Sequence, residues 1–334
     1  MKIISIKKGH DIKKVKQELT ALGLWTSPYG GAASTARGGT PDTMLVVDPQ
    51  SSAVAEARLL EVEGIEEVYV SASKHPMVDE HPAYVTVGDV RIGDGAEPVF
   101  MAGPCSVESE AQIQESAAMV KRAGARILRG GCFKPRTNPY SFQGVGVEGL
   151  DWMRQAADAH DLLVVTEAMA PGHVDVVAKC TDIFQIGARN MQNFDLLHAV
   201  GRAAKPVLLK RGLSATIGEW LQAAEHLLHS GAESIIFCER GVRSFDDNTR
   251  FLFDLAAVAM IRHVYKLPVI ADPSHATGRK DLIPVMGNAA LAAGAHGLII
   301  ETHPSPGVAC SDAAQQLDEE ELLSASKIWG FHRP

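Results

Sequence analysis

From residue 98 onward the sequence repeats one unit eight times. Short apolar runs occur at 98–102, 126–129, 162–166, 182–186, 206–210, 234–238, 268–271 and 297–301. Segments with apolar residues at helical spacing separate them, among them 109–123, 148–160, 216–230 and 280–293, and another at 318–328 follows the eighth run. Runs of four or five residues, apolar on consecutive positions, suit strands buried on both faces. Eight such units over about 235 residues match the length of a (β/α)8 TIM barrel. A doubly wound open sheet is the rival architecture, but it seldom needs eight units this regular.

The first seventy-odd residues follow another pattern. Lys2 to Lys7 alternates as a strand, and Ile12, Val15, Leu19 and Leu22 are spaced as one helix face. Trp25 to Tyr29 reads as a second strand, followed by a Gly-rich loop from Gly30 to Thr40 and an apolar run from Met44 to Val47. Residues 51–62 fit a helix, and Glu67 to Val70 a last strand. The order β-α-β-β-α-β is that of a small α+β ferredoxin-like domain. The expected organisation is a ferredoxin-like domain at 1–75, a linker and short hairpin at 76–97, and the barrel at 98–334. Tyr84–Val87 and Asp89–Ile92, about Gly88, supply the hairpin.

A net charge of -8 argues against a nucleic-acid partner. No stretch approaches the roughly 18 apolar residues of a membrane span, so no membrane partner is expected. The start, Met1-Lys2-Ile3-Ile4, lacks the features of a secretory signal. Five cysteines with no CxxC pair point to a reducing compartment, and a cytoplasmic location is expected.

In a barrel of this kind, chemistry sits where the strands end. Two groups of residues stand there. Cys105, His275, Glu301 and Asp312 follow strands 1, 7 and 8, which become neighbours once the barrel closes; a thiolate, an imidazole and two carboxylates can hold a divalent metal. Arg129, Lys134, Arg136, Arg189, Lys210 and Arg240 form the second group. Six cations at one mouth repel one another, so they imply a ligand with several negative charges. Singly, each residue has a duller role, as a packed thiol or a solvated surface charge. Their joint placement on one rim is what argues for a site.

Several stretches carry a family resemblance: G-P-C-S-V-E at 103–108, L-R-G-G at 128–131, K-P-R-T-N-P-Y-S-F-Q-G at 134–144 and Q-I-G-A-R-N at 185–190. L-L-K-R-G at 208–212, C-E-R-G at 238–241, D-P-S-H at 272–275 and A-H-G-L-I-I-E-T-H-P at 295–304 belong with them. Together they resemble the 3-deoxy-D-arabino-heptulosonate 7-phosphate (DAHP) synthase family, in the branch with a ferredoxin-like regulatory domain ahead of the barrel. The resemblance implies the first step of the shikimate pathway: phosphoenolpyruvate, erythrose 4-phosphate and water give the heptulosonate phosphate and phosphate. It implies Cys105, His275, Glu301 and Asp312 as metal ligands, for Mn2+, Fe2+, Co2+ or Zn2+. Arg129 and Lys134 would hold the phosphoenolpyruvate carboxylate and reacting end. Arg189, Lys210 and Arg240 would hold its phosphate, with Glu167 and Gln185 nearby. Arg136 and Thr137 would take the aldose phosphate, and Asp272 would lie near the aldose hydroxyls. Lys134, beside Arg129 and Arg136, should have its pKa lowered by like charges and serve in proton transfer.

The same resemblance implies control by tyrosine or phenylalanine through the N-terminal unit, and assembly as a homodimer or homotetramer. A fused chorismate mutase is all-helical and does not fit the strands at 2–7 and 44–47. The nearest alternative activity is 3-deoxy-manno-octulosonate 8-phosphate synthase, which uses arabinose 5-phosphate. That family resembles K-A-N-R-S where this chain has Lys134-Pro135-Arg136-Thr137.

Some features depart from the pattern or mislead. Gly144 to Gly149 formally matches GxGxxG, but lies about thirteen residues beyond strand 2, too far for a dinucleotide site. His296 precedes a strand and belongs at the far side of the barrel; His303 lies near the mouth, behind the ligands. The family resembles S-D-G-x-Q-S-L after strand 8, whereas this chain has Ser311-Asp312-Ala313-Ala314-Gln315-Gln316-Leu317. A positive φ at Ala313 would strain that loop, so Asp312 is the ligand expected to be longest or most mobile. Cys310 could approach Cys105 when no metal is bound.

Overall fold

A computed structural model describes residues 2–29, 44–70, 72–134, 138 and 140–332. The chain divides into two compact units, Met1–Lys74 and His75–Pro334.

In the first unit, β1 (Lys2–Ile6), α1 (Ile12–Ala21), β2 (Thr26–Pro28), β3 (Met44–Val47), α2 (Glu56–Leu60) and β4 (Ile65–Val70) follow one another. They build a four-stranded sheet of order β2-β3-β1-β4, with antiparallel pairs. Asp11 starts α1 by accepting the Lys13 N–H at 2.9 Å. Val15 and Leu19 on α1 and Leu59 on α2 bury against Ile4, Ile6, Leu45 and Val68 of the sheet. The second helix is shorter than the 51–62 expected, because the Ser52 N–H donates to the Gly23 carbonyl at 2.9 Å and Ala55 is extended, so helix starts only at Glu56. The Gly30–Thr40 loop lies outside the described residues.

The second unit opens with a short helix, α3 (Pro76–Asp79), where a linker was expected. Its Met77 and Val78 N–H groups donate to Glu225 of α8 (Ile217–His229), at 3.1 and 2.9 Å. That tie and the buried Val78 dock the segment onto the barrel's outer layer. The hairpin β5 (Tyr84–Val87) and β6 (Val90–Gly93) comes next. The barrel strands are β7 (Val99–Gly103), β8 (Ile127–Arg129), β9 (Leu163–Glu167), β10 (Ile183–Ile186), β11 (Val207–Lys210), β12 (Ile235–Glu239), β13 (Val269–Ala271) and β14 (Gly297–Glu301). All eight pair in parallel and close in sequence order, with β14 against β7.

Two apolar layers hold the barrel. The outer one packs alternate strand residues against the helices. The inner one includes Val99, Met101, Ile127, Val165, Ile183, Leu208 and Ile299, together with Val85, Val87, Val90 and Ile92 of the hairpin. The hairpin therefore plugs the end where the strands begin and leaves the other end as the open mouth. Burying each of its four branched side chains contributes roughly 1.5–3 kcal/mol.

His296 lies at the plugged end, as expected. Its Nδ1 accepts the Val269 N–H at 3.0 Å, and its Nε2 is 3.5 Å from Asp94, which pairs with Arg262. Burial, helped by Arg262 and His263, pushes the imidazole down to about 4. The unfolded chain takes up that proton near the usual ~6.5. Between those values the unfolded state binds more protons than the folded one, so stability falls as pH drops through that window. His296→Asn keeps an acceptor for Val269 but cannot titrate. Its melting temperature is expected to fall less than that of the wild type between pH 6.5 and 4; parallel curves would contradict the assignment.

Candidate active site

Strand alternation builds the floor of the mouth. Ile127, Val165, Ile183, Leu208, Cys238, Ile270 and Ile299 all face the inner core. Two positions further along stand Arg129, Glu167, Gln185, Lys210, Arg240, Asp272 and Glu301, which the two-residue period sends to the same side. The residues between, such as Leu128, Phe184, Leu209 and Ile300, pack outward. Arg211 and Glu239 have the opposite parity. They pair with each other at 3.0 Å, Arg211 also reaches Asp254 at 2.8 Å, and neither lines the cleft.

Two glycines shape the first two strand ends. A Cβ on Gly103 would stand 1.9 Å from the Arg129 carbonyl oxygen, so only glycine lets β7 run this close to β8 before presenting Cys105. A Cβ on Gly131 would stand 2.5 Å from Lys134 Nζ, in the path by which Lys134 reaches the Cys105 carbonyl.

Cys105, Glu301 and Asp312 bring one donor atom each to within 4.8 Å of one another. Cys105 Sγ is 3.6 Å from Asp312 Oδ2. His275 Nε2 borders this triad, 3.3 Å from Glu301 Oε1 and 4.0 Å from Asp312 Oδ2. The motif Asp272-Pro273-Ser274-His275 explains its placement. Asp272 starts α10 (Pro273–Thr277), its Oδ1 accepting the His275 N–H at 3.0 Å, with proline in the first turn. Asp272 Oδ2 also meets His275 Nδ1 at 2.7 Å. With Nδ1 donating there, Nε2 turns a lone pair toward the Glu301 and Asp312 carboxylates.

These donors suit a divalent cation. Burial, then Glu301, pushes the Cys105 thiol up to about 11, with Lys134 opposing; a cation among the donors would reverse that balance. Burial alone would raise the Glu301 carboxyl, but His275, Arg129 and Lys134 outweigh it and hold it well below the usual carboxylate range. Three anionic or lone-pair donors facing one another around an ionised carboxylate form the chemistry of a cation site.

The cations lie next to them. Cys105, Arg129, Lys134, Glu167, Gln185, Arg189, Lys210, Arg240, His275 and Asp312 line one cleft. Arg129 donates to Glu301 at 2.7 Å and to the Pro104 carbonyl at 2.9 Å, yet its Nε is buried without a partner among the described residues. Arg240 Nη1 is likewise buried and has no partner among the described residues, and burial lowers the pKa of its guanidinium. Buried donors without acceptors are costly, and an anion in the cleft would satisfy them. Gln185 Nε2 and Glu167 Oε2 are 3.4 Å apart on the opposite wall. Asp272 is not on the wall: its carboxylate stands behind it, 2.6 Å from Lys210 Nζ and 2.7 Å from His275. Arg136 and Thr137 lie outside the described residues.

Two cleft residues, Arg250 and Phe251, and two buried glutamines behind the donors escaped the sequence. Arg250, ten residues past Arg240, reaches Asp312 Oδ2 at 3.3 Å and donates to Gln315 Oε1 at 2.8 Å. Phe251 lies under the Arg240 guanidinium, 4.2 Å from ring centre to Cζ. Gln315 donates to Glu301 Oε2 at 2.5 Å, and Gln316 accepts the Cys105 N–H at 3.0 Å. No strand-end spacing marks Arg250 or Phe251; the altered Ser311–Leu317 pattern was the available sign for the glutamines. In that loop the left-handed residue is Asp312 itself (φ 48°, ψ 34°), and Ala313 begins a 3-10 turn. The expected strain at Ala313 is thus absent, and aspartate tolerates the conformation better than most residues. His303 stands behind the ligands, 3.6 Å from Glu108. Cys105 is a buried thiol and Cys310 an exposed one. Gly146, in the GxGxxG-like stretch, precedes α5 (Val147–Ala159) away from any strand end.

Fold and site define a class: a (β/α)8-barrel enzyme whose mouth sets a metal-competent donor group beside cations suited to a phosphorylated carboxylic acid. The chain belongs to the DAHP synthetase I family, whose model matches residues 67–331. It is 48% identical over 261 residues to the phospho-2-dehydro-3-deoxyheptonate aldolase of Thermotoga maritima, covering 77% of this chain and 76% of the relative. A 2-dehydro-3-deoxyphosphooctonate aldolase from Rhodopseudomonas palustris is more distant, at 31% over 260 residues, covering 72% of this chain and 90% of that one. The crystal structure of the Thermotoga maritima phospho-2-dehydro-3-deoxyheptonate aldolase (DAHP synthase) superposes with a TM-score of 0.74 at 38% identity, covering 98% of this chain and 96% of that one. A truncated form of the Thermotoga maritima synthase gives 0.71 at 42% identity, covering 76% of this chain and 95% of that one.

Proposed function

We propose that this chain condenses phosphoenolpyruvate with erythrose 4-phosphate and water, giving DAHP and phosphate. The observation that carries this reading is the pair of buried arginine donors, on Arg129 and Arg240, left unsatisfied by the described residues beside the Cys105–Glu301–Asp312 triad. The 48% identity to a heptonate enzyme, against 31% to an octonate enzyme, favours erythrose 4-phosphate over arabinose 5-phosphate.

In this reading Arg129 and Lys134 hold the carboxylate of phosphoenolpyruvate, and Arg189, Lys210 and Arg240 its phosphate. Fixing both ends aims carbon 3 at the aldehyde carbon, and this positioning supplies much of the acceleration. Arg136 and Thr137 bind the aldose phosphate. Cys105, His275, Glu301 and Asp312 would hold Mn2+, Fe2+, Co2+ or Zn2+, which when bound polarises the aldehyde oxygen. Lys134, which donates to the Cys105 carbonyl and lies 3.4 Å from its thiol, hands a proton to the former aldehyde oxygen as the new carbon–carbon bond forms. Glu167 and Gln185 frame the opposite wall, where water would add to carbon 2. Asp272 keeps Lys210 and His275 oriented.

The N-terminal unit, with its ferredoxin-like strand order, is proposed to carry feedback control by tyrosine or phenylalanine, in a cytoplasmic homodimer or homotetramer. Among the described residues, no helix is long and apolar enough to cross a membrane.

Phosphate release tests the proposal. Release is expected with phosphoenolpyruvate plus erythrose 4-phosphate, with loss after chelation, recovery on adding a divalent metal, and inhibition by one of the two amino acids. Release with arabinose 5-phosphate alone would overturn the substrate assignment.

A further inference from the structure

Cys105 and Asp312 sit on loops that follow different strands, β7 and β14, and their spacing must be set by something other than either strand. Gln316 spans the gap. It is fully buried; its Oε1 accepts the Cys105 N–H at 3.0 Å, and its Nε2 donates to the Ser311 carbonyl at 2.8 Å. Ser106, which follows Cys105, and Ser311, which precedes Asp312, join through their hydroxyls at 2.5 Å. Glu108 adds a third tie by accepting the Cys310 N–H at 2.8 Å. Asp312 itself stands in the left-handed region, which persists where its surroundings hold it. The Cys105 backbone, Ser106 after it, and Cys310 and Ser311 before Asp312 are therefore anchored across the gap, while the donor side chains stay available.

We infer that Gln316, with the Ser106–Ser311 bond, is a positioning device that presets the distance between the Cys105 thiol and the Asp312 carboxylate and so sets the affinity for the divalent ion. The inference rests on the metal-site reading above. Gln316 touches neither substrate nor donor atoms; it acts through the Cys105 backbone and the Ser311 carbonyl. Neighbours that orient metal ligands typically govern about 10–100-fold in affinity.

Co2+ is the probe, because a thiolate–cobalt absorption band reports ligation by Cys105 itself. Apo full-length wild type is titrated against a competing chelator, beside Gln316→Met, which keeps the volume and removes both hydrogen bonds, and Ser106→Ala. Gln316→Met is expected to weaken Co2+ binding about 10-fold or more and to shift the band. Ser106→Ala, the milder change, should fold even if the first does not, and is expected to weaken binding several-fold. Wild-type affinity and band in the folded variants, whatever their melting temperatures, would overturn the inference. A wild type that takes up no Co2+ would instead overturn the metal reading on which it rests.

Discussion

Cys105→Ala is expected to abolish stoichiometric metal binding and lower turnover roughly 10^3-fold, because a Lewis acid at an aldehyde oxygen is worth several kcal/mol. Cys105 is 4% exposed and contributes one of the three donors that lie closest together. Alanine removes the thiol with little change of volume, and the backbone N–H that Gln316 holds is untouched. The alternative, that Cys105 is a packed thiol, makes a different forecast: a modest loss of stability with metal content and turnover retained. Metal analysis of the purified variant, paired with phosphate release, separates the two.

The second large effect concerns Asp272. One oxygen of its carboxylate meets both Lys210 Nζ and His275 Nδ1, and the other starts α10. Lys210 is 4% exposed and Asp272 1%, so their charges are compensated locally. Asp272→Asn leaves the Lys210 ammonium buried without its anion. Such uncompensated burial costs about 3–5 kcal/mol, which for a chain of this size lowers the melting temperature by roughly 5 °C. Lys210→Met in the Asp272→Asn background should restore much of that stability, since a neutral pair carries no stranded charge. Activity should not return, because the phosphate loses a partner. Thermal melts of both variants, read beside phosphate release, check the pair of outcomes; equal melting temperatures for all three proteins would contradict the buried-pair account.

How much of this was legible in the sequence follows from what each feature depends on. Strands buried on both faces need unbroken apolar runs, so β7 to β14 were visible as such. Strand parity is a local rule, so the residue two past each inward apolar position could be read as facing the mouth; Arg129, Glu167, Gln185, Lys210, Arg240 and Glu301 follow it. Arg250 and Phe251 could not be read this way. They come back to the cleft along a loop whose path depends on tertiary contacts, including the backbone bonds of Arg250 and Phe251 to Thr277 and Ala276. Segment 76–79 was legible as Pro-punctuated chain but not as a docked helix, because its partner, Glu225, lies nearly 150 residues away. The altered loop after β14 stands out in the sequence, yet the sequence does not show which residue takes the left-handed turn. It is the aspartate, and the unusual Gln316 beside it is tied into the site.

Product identity tests the central claim most directly. The metal-loaded protein is given phosphoenolpyruvate with equimolar erythrose 4-phosphate and arabinose 5-phosphate, and the products are identified by mass spectrometry. The seven-carbon heptulosonate phosphate should dominate, in step with phosphate release. A dominant eight-carbon product, or phosphate release without any condensed sugar acid, would contradict the account.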